Sequence, residues 1–243
     1  MAARQTLDFE CALVTGGGGG IGKAMAEQLI ARGKKVIIIG RTESKLQSAA
    51  KELGHGTSYY VLDTGSIRDI KPFVERVVRE RPDVDCLINN AGVQRELHIP
   101  DFDLEKADQE IDINIRGPMH LAVGFLEHFK GKKAATIMNV SSVLGFVPFS
   151  VINPVYNGTK AWAHMWSINL RQQLLQNEKL KHIKVSLSSS FILASPTSFL
   201  RSLELSGMFS LVTKSHSCLL TCLLKAIVFF EHLAPWILMS ESH

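Results

Sequence analysis

Three observations in the sequence predict an α/β protein, a doubly wound parallel sheet with helices on both faces. Short apolar runs alternate with longer amphipathic stretches from Cys11 to about Val185, the rhythm of βαβ units. A glycine-rich turn, Thr15-Gly16-Gly17-Gly18-Gly19-Gly20-Ile21-Gly22, joins the first apolar run to the first amphipathic stretch. No internal repeat and no Pro- or Gly-rich linker divides the region, and a chain of 243 residues suits one large domain with a sizeable core.

Six apolar runs are the candidate strands: residues 11–14, 36–39, 59–62, 84–88, 135–140 and 183–185. Each is short and mostly apolar, as strands buried on both faces are. Between them, residues 21–32, 43–53, 67–80, 104–129 and 155–177 repeat apolar residues at steps of three or four, which draws one apolar stripe along a helix. The glycine turn thus closes a strand and opens a helix, where free N–H groups and the helix dipole can meet a pyrophosphate. Glycine permits positive φ and close backbone approach there. A flexible loop is the alternative, but Ile21-Gly22 running on into Ala24-Met25-Ala26 supplies the helix that a linker lacks.

After Val185 the rhythm stops. Ser186 to Ser190 leads into a segment rich in serine and leucine, so the expected organisation is a nucleotide-binding catalytic domain, 1–185, followed by an atypical tail, 186–243. Residues 218–239 are strongly apolar, yet Lys225, Glu231, His232 and Pro235 interrupt a spanning length. A buried or interface-forming helix over 219–230 is expected, with membrane contact or a poorly packed tail as the alternatives. A composition of 46% hydrophobic and 21% charged residues is globular, and a net charge of +4 is too small to point to nucleic acid. Cys11, Cys86, Cys218 and Cys222 form neither a disulfide framework nor a two-pair metal spacing. The first two read as buried thiols in a reducing compartment, and no metal is expected. Residues 1–10 lack an apolar signal core and carry Asp8 and Glu10, so the expected location is cytoplasmic.

Two further features bear on chemistry. Gly40 and Arg41 stand at the end of the second strand, where an acidic residue would bind the ribose diol of NAD. A guanidinium there can pair with a 2′-phosphate, which favours NADP; a solvated arginine beside Glu43 is the bland alternative. Tyr156 and Lys160, four apart, share one face of the last helix. A free phenol titrates at about 10, too high for proton exchange near neutrality, and a nearby ammonium favours its charged form.

Further motifs complete an ordered series: Asn89-Asn90-Ala91-Gly92 after the fourth strand, Asn114 within Asp112-Ile113-Asn114-Ile115-Arg116-Gly117, and Asn139-Val140-Ser141-Ser142 ending the fifth. In that order and spacing the chain resembles the classical short-chain dehydrogenases/reductases over about residues 13–185. The resemblance implies a Rossmann-type sheet in which Tyr156 exchanges a proton with the substrate oxygen. It implies that Lys160 lowers the Tyr156 pKa and holds the nicotinamide ribose, and that Ser142 hydrogen-bonds the substrate carbonyl, with Ser141 the competing serine. Asn114 would kink its helix and support a water linked to Lys160. Gly16, Gly20, Ile21 and Gly22 would line the pyrophosphate, Asp63 would meet adenine, Asn90 and Ala91 would line the adenosine side, and Arg116 would lie beside the cofactor. The implied reaction moves a hydride between NADPH and a carbonyl or alcohol of a small or lipophilic metabolite. A homo-oligomer is implied as well, with Trp162 and Trp166 on the interface helix, and His164 is expected to be structural or exposed.

The resemblance breaks after the sixth strand. The family's Pro-Gly turn, its threonine on the nicotinamide amide, its substrate-covering helix and its seventh strand are not recognisable here. Ser195-Pro196-Thr197 is the nearest fragment and lacks the glycine. Val185-Ser186 can be encoded by GTAAGT, a splice-donor sequence, so an unspliced message is one account of the change. The competing function is a catalytically weak nucleotide-binding or scaffold protein that uses its tail for interaction.

Overall fold

A computed structural model describes residues 7–146 and 150–190. Their six strands are β1 (Cys11–Thr15), β2 (Lys35–Gly40), β3 (Ser58–Val61), β4 (Cys86–Asn89), β5 (Ala135–Ser142) and β6 (Ile183–Ser190). All pair in parallel, in the order β3-β2-β1-β4-β5-β6. The chain builds outward from β1 to one edge and then returns to build the other half, so the order reverses between β1 and β4. The helices are α1 (Gly20–Ile30), α2 (Glu43–Leu53), α3 (Ile67–Glu80), α4 (Leu104–Ile111), α5 (Gly117–Lys130) and α6 (Pro154–Gln176).

Side chains alternate across each strand, and both faces are covered. Leu13, Ile37, Leu87 and Ile137 join Phe73 of α3, Phe125 and Phe129 of α5 and Leu170 of α6 in one apolar cluster. The alternate residues Ala12, Val14, Val36 and Ile38 are equally buried, as are Met25 and Leu29 of α1 and Leu46 of α2. Burial on both sides is why the central strands read as unbroken apolar runs, each fully buried Leu, Ile or Phe contributing about 1.5–3 kcal/mol.

Two elements depart from expectation. The single helix expected over 104–129 is α4, a π turn over Asp112–Arg116, and α5. The Gly117 N–H donates to the Asp112 carbonyl, the i→i−5 bond of a π turn. Pro118 has no N–H for the Asn114 carbonyl, and its ring would crowd that carbonyl in a regular helix. Widening the turn relieves the clash. The second departure is β6, which runs past Val185 and pairs Ser186 to Ser190 with Met138 to Ser142 of β5. Expectations for residues 191–243, among them the apolar segment, Cys218, Cys222 and Ser195-Pro196-Thr197, lie outside the described residues.

Cys11 and Cys86 are buried and free. Burial pushes the Cys11 thiol up to about 12 and raises Cys86 as well, so both stay protonated and unreactive. Among the described residues no helix is long and apolar enough to cross a membrane, and no cluster of His, Cys, Asp and Glu could hold a metal.

Candidate active site

The C-terminal ends of β1 and β4 form the crevice that a reversal of strand order creates. Thr15 ties its walls together. The Thr15 hydroxyl donates to the Ile88 carbonyl (3.2 Å) and accepts from the N–H groups of Asn90 and Ala91 (2.9 Å each), while Asn90 Nδ2 donates to the Thr15 carbonyl (2.9 Å). Gly16 follows at φ +69°, where a Cβ would fall 2.9 Å from Asn90 Nδ2. A Cβ on Gly22 would lie 2.3 Å from the Gly16 carbonyl oxygen. Only glycine lets the turn fold back on itself in this way.

At Gly19 and Gly20, by contrast, a Cβ would meet nothing within 4 Å. The N-terminus of α1 therefore begins on two residues that carry no side chain and whose Cβ positions face open space. A cavity of about 180 Å³ continues from Gly16 past Gly40, Arg41, Asp63, Ala91 and Ile113. This combination of bare helix N-terminus and adjoining cavity fits a dinucleotide phosphate and its nucleoside. Ile21 is half exposed at the turn, and Arg41 is exposed on the cavity rim. Glu43, the candidate partner of Arg41, accepts from the Tyr59 hydroxyl (3.4 Å). Asp63 accepts from the Gly65 N–H (2.9 Å), and Arg116 pairs with Asp112 across the π turn (2.7 Å).

Pro154 opens α6 at a position where its missing N–H costs no hydrogen bond. The helix then buries Thr159, Lys160, Ala163, Ser167, Leu170 and Leu174 along one stripe. Lys160 Nζ donates to the Val140 carbonyl (2.8 Å) and lies 5.6 Å from the centre of the Tyr156 ring. Burial pushes the Lys160 pKa down to about 8, with the Glu110 carboxylate acting in the opposite sense. The Tyr156 pKa is raised by burial; the neighbouring Ser142 hydroxyl lowers it and Glu110 raises it further. The expected lowering of Tyr156 by Lys160 is therefore not present here. The ammonium is directed at the Val140 carbonyl, and burial decides the sign. Of the two candidate serines, Ser142 stands against the phenol, while the Ser141 hydroxyl donates to the Lys160 backbone carbonyl (2.9 Å).

Asn114, carried on the π turn, is a clamp. Its Nδ2 donates to the Val93 carbonyl (2.8 Å) and to Thr159 Oγ1 (3.1 Å), and its Oδ1 accepts from the Val93 N–H (2.9 Å). Thr159 donates onward to the Tyr156 carbonyl (2.8 Å). The loop after β4, the π turn and the start of α6 are thereby fixed to one another. A Cβ on Gly92 would lie 3.2 Å from Asn114 Oδ1 and 3.5 Å from Lys160 Nζ, so those two groups adjoin the same small space. Thr159 and Glu110 were not singled out in the sequence: a threonine inside a helix and a glutamate among polar neighbours carry no signal of their own. Farther along α6, Trp162 and Trp166 stack at 5.4 Å, and the His164 ring packs edge-on against Phe146 at 4.4 Å.

A family model described as short chain dehydrogenase matches residues 10–194. The chain belongs to the short-chain dehydrogenase family. The match covers every described strand and includes β6 to its end. Within the family, the uncharacterized oxidoreductase DltE of Bacillus subtilis is 36% identical over 167 residues, 67% of this chain and 64% of that protein; the chain spans under two thirds of that relative's length. Among solved structures, a metagenomic short-chain oxidoreductase in complex with NADP superposes with a TM-score of 0.72 at 25% identity, covering 81% of this chain and 90% of the other. Serine dehydrogenase from Escherichia coli superposes with a TM-score of 0.69 at 26% identity, covering 79% and 88%.

Proposed function

We propose that this short-chain dehydrogenase is an NADP-dependent oxidoreductase that moves a hydride between NADPH and a carbonyl or alcohol group of a small or lipophilic metabolite. The observation that carries the reading is Tyr156 set against Ser142 and a buried Lys160, at the mouth of the glycine crevice. The cofactor, when bound, supplies the hydride. Gly16, Gly20, Ile21 and Gly22 border its pyrophosphate, Asp63, Asn90 and Ala91 its adenosine, and Arg116 flanks the site. Arg41 is free to meet a 2′-phosphate, because Glu43 is engaged with Tyr59, and the NADP complex of a structural relative supports this choice.

Tyr156 holds the proton that the substrate oxygen takes or gives. Ser142 orients that oxygen, Lys160 reaches the nicotinamide ribose, and Asn114 keeps α6 in register with the loop after β4. The apolar side chains of Phe146 and Val151, 52% and 83% exposed near the start of α6, favour a lipophilic substrate. The tryptophan face of α6 suits a second copy of the chain.

The test is a fluorescence titration of the full-length protein with NADPH and NADH, followed by turnover with a panel of carbonyl compounds. Saturable binding that favours NADPH is expected, with the preference falling about tenfold in Arg41→Ala, a change of about 1.4 kcal/mol. Tyr156→Phe should abolish turnover and leave cofactor affinity within about threefold. Binding without turnover by the unaltered chain would select the catalytically weak binding or scaffold role. No binding of either nucleotide by the folded protein would overturn the oxidoreductase reading and leave the scaffold role.

A further inference from the structure

Glu110 sits on α4 one helical turn before Asn114, in a helix that packs against α6. Its side chain is fully buried, and neither carboxyl oxygen reaches a hydrogen-bond partner at normal geometry among the described residues. Acids on helices are almost always offered to water unless something charged holds them inside. The ionisable groups around this one are Arg95, from the loop before α4, and Tyr156 and Lys160 of α6. Burial raises the Glu110 pKa, while the Arg95 charge and backbone N–H and the Lys160 ammonium oppose it. Arg95 is committed elsewhere, since its Nη1 donates to the Lys106 carbonyl and to Gln109 Oε1, both at 3.0 Å. Among the described residues the Lys160 ammonium donates to the neutral Val140 carbonyl.

We propose that Glu110 is a positioning residue for the proton chemistry: its buried carboxylate faces α6 and holds both Tyr156 and Lys160 in their protonated forms, poising the site to give a proton. A negative charge in that place disfavours a phenolate and favours an ammonium, so the two effects act in the same direction on proton occupancy. The carboxylate also supplies the counter-charge that a desolvated ammonium lacks. On the oxidoreductase reading, on which this step rests, a carbonyl reduction leaves negative charge on the substrate oxygen and draws its proton from Tyr156. Alcohol oxidation needs the phenolate and is held back to higher pH.

Tyr156 is one of three tyrosines. The near-ultraviolet phenolate titration of the full chain, less that of Tyr156→Phe, isolates its ionisation with neither cofactor nor substrate present. Glu110→Gln keeps the side-chain shape and removes the charge, and is expected to bring the Tyr156 titration about one pH unit lower. Coincident titrations would overturn the proposal. Should the glutamine variant not fold, the unaltered protein carries the test through the carboxyl-carbon resonance of Glu110. A second inflection where Tyr156 ionises, lost in Tyr156→Phe, is expected; a single inflection in both proteins overturns the coupling. Because neither measurement needs turnover, an absence of reductase activity bears on the oxidoreductase reading alone.

Discussion

Replacing Asn114 by alanine removes hydrogen bonds to the Val93 N–H, the Val93 carbonyl and the Thr159 hydroxyl, made at 2.9, 2.8 and 3.1 Å by a side chain that is 4% exposed. A buried hydrogen bond contributes about 0.5–1.5 kcal/mol net, and a stranded buried polar group costs about 1–3 kcal/mol. Thr159 keeps its bond to the Tyr156 carbonyl, so only the two Val93 backbone groups are stranded. The better helix propensity of alanine returns about 0.5 kcal/mol. A destabilisation of about 3 kcal/mol follows, a large share of the roughly 5–15 kcal/mol that holds a domain folded. With a urea m-value of about 3 kcal/mol/M, the midpoint of the full-length protein should fall by about 1 M, as read by tryptophan fluorescence. A fall of less than about 0.3 M at unchanged m would refute the clamp. A cycle with Thr159→Val should give a coupling of at least about 0.5 kcal/mol, and strict additivity would remove Thr159 from it.

Three other perturbations probe the same site. Lys160 titrates at about 8 in the folded chain against an ordinary 10.5, so the folded state binds fewer protons between those values and this group's contribution to stability rises as pH climbs from about 8 to about 10.5. The stability of Lys160→Met relative to the parent should therefore fall by about 1–3 kcal/mol as pH climbs from near 7 to near 10.5; a pH-independent gap in urea midpoints would sink the argument. Gly22→Ala, whose Cβ would lie 2.3 Å from a backbone oxygen, should weaken NADPH binding by more than about tenfold, or about 1.4 kcal/mol, and binding within threefold of the parent would count against the crevice. Ser142→Ala should depress turnover and raise the Tyr156 titration, since the Ser142 hydroxyl lowers it, while Ser141→Ala should cost about 1–2 kcal/mol of stability through its bond to α6. Equal activity losses from the two serines would contradict this division.

The strands were readable because both faces of the sheet are covered, so burial alone imposes unbroken apolar runs such as Val36 to Ile39. The span 104–129 misled because its apolar periodicity persists through the π turn, and periodicity does not register a change of pitch. Gly117-Pro118 was the available signal, since a proline denies the carbonyl four residues earlier its donor. Ser186 to Ser190 looked like the end of the fold because serine has little strand preference of its own. What holds those residues extended is the full ladder along β5, a partner remote in sequence. The pairing of Tyr156 with Lys160 followed from helix geometry, whereas the direction of the Tyr156 shift depends on how deeply the phenol is buried and on Glu110. Neither can be read from spacing.

Thr15 has a consequence for how the molecule can breathe. Four hydrogen bonds link this residue to Ile88, Asn90 and Ala91, so the two halves of the sheet are stitched where the nucleotide crevice lies. Separating its walls would break all four at once, and the crevice cannot open there by a low-energy hinge. The amides of Asn90 and Ala91, though they stand in a loop, should exchange with solvent as slowly as those of the central strands. Motion that admits a ligand is left to elements beyond this stitch, and the phosphate end of the site is a rigid floor.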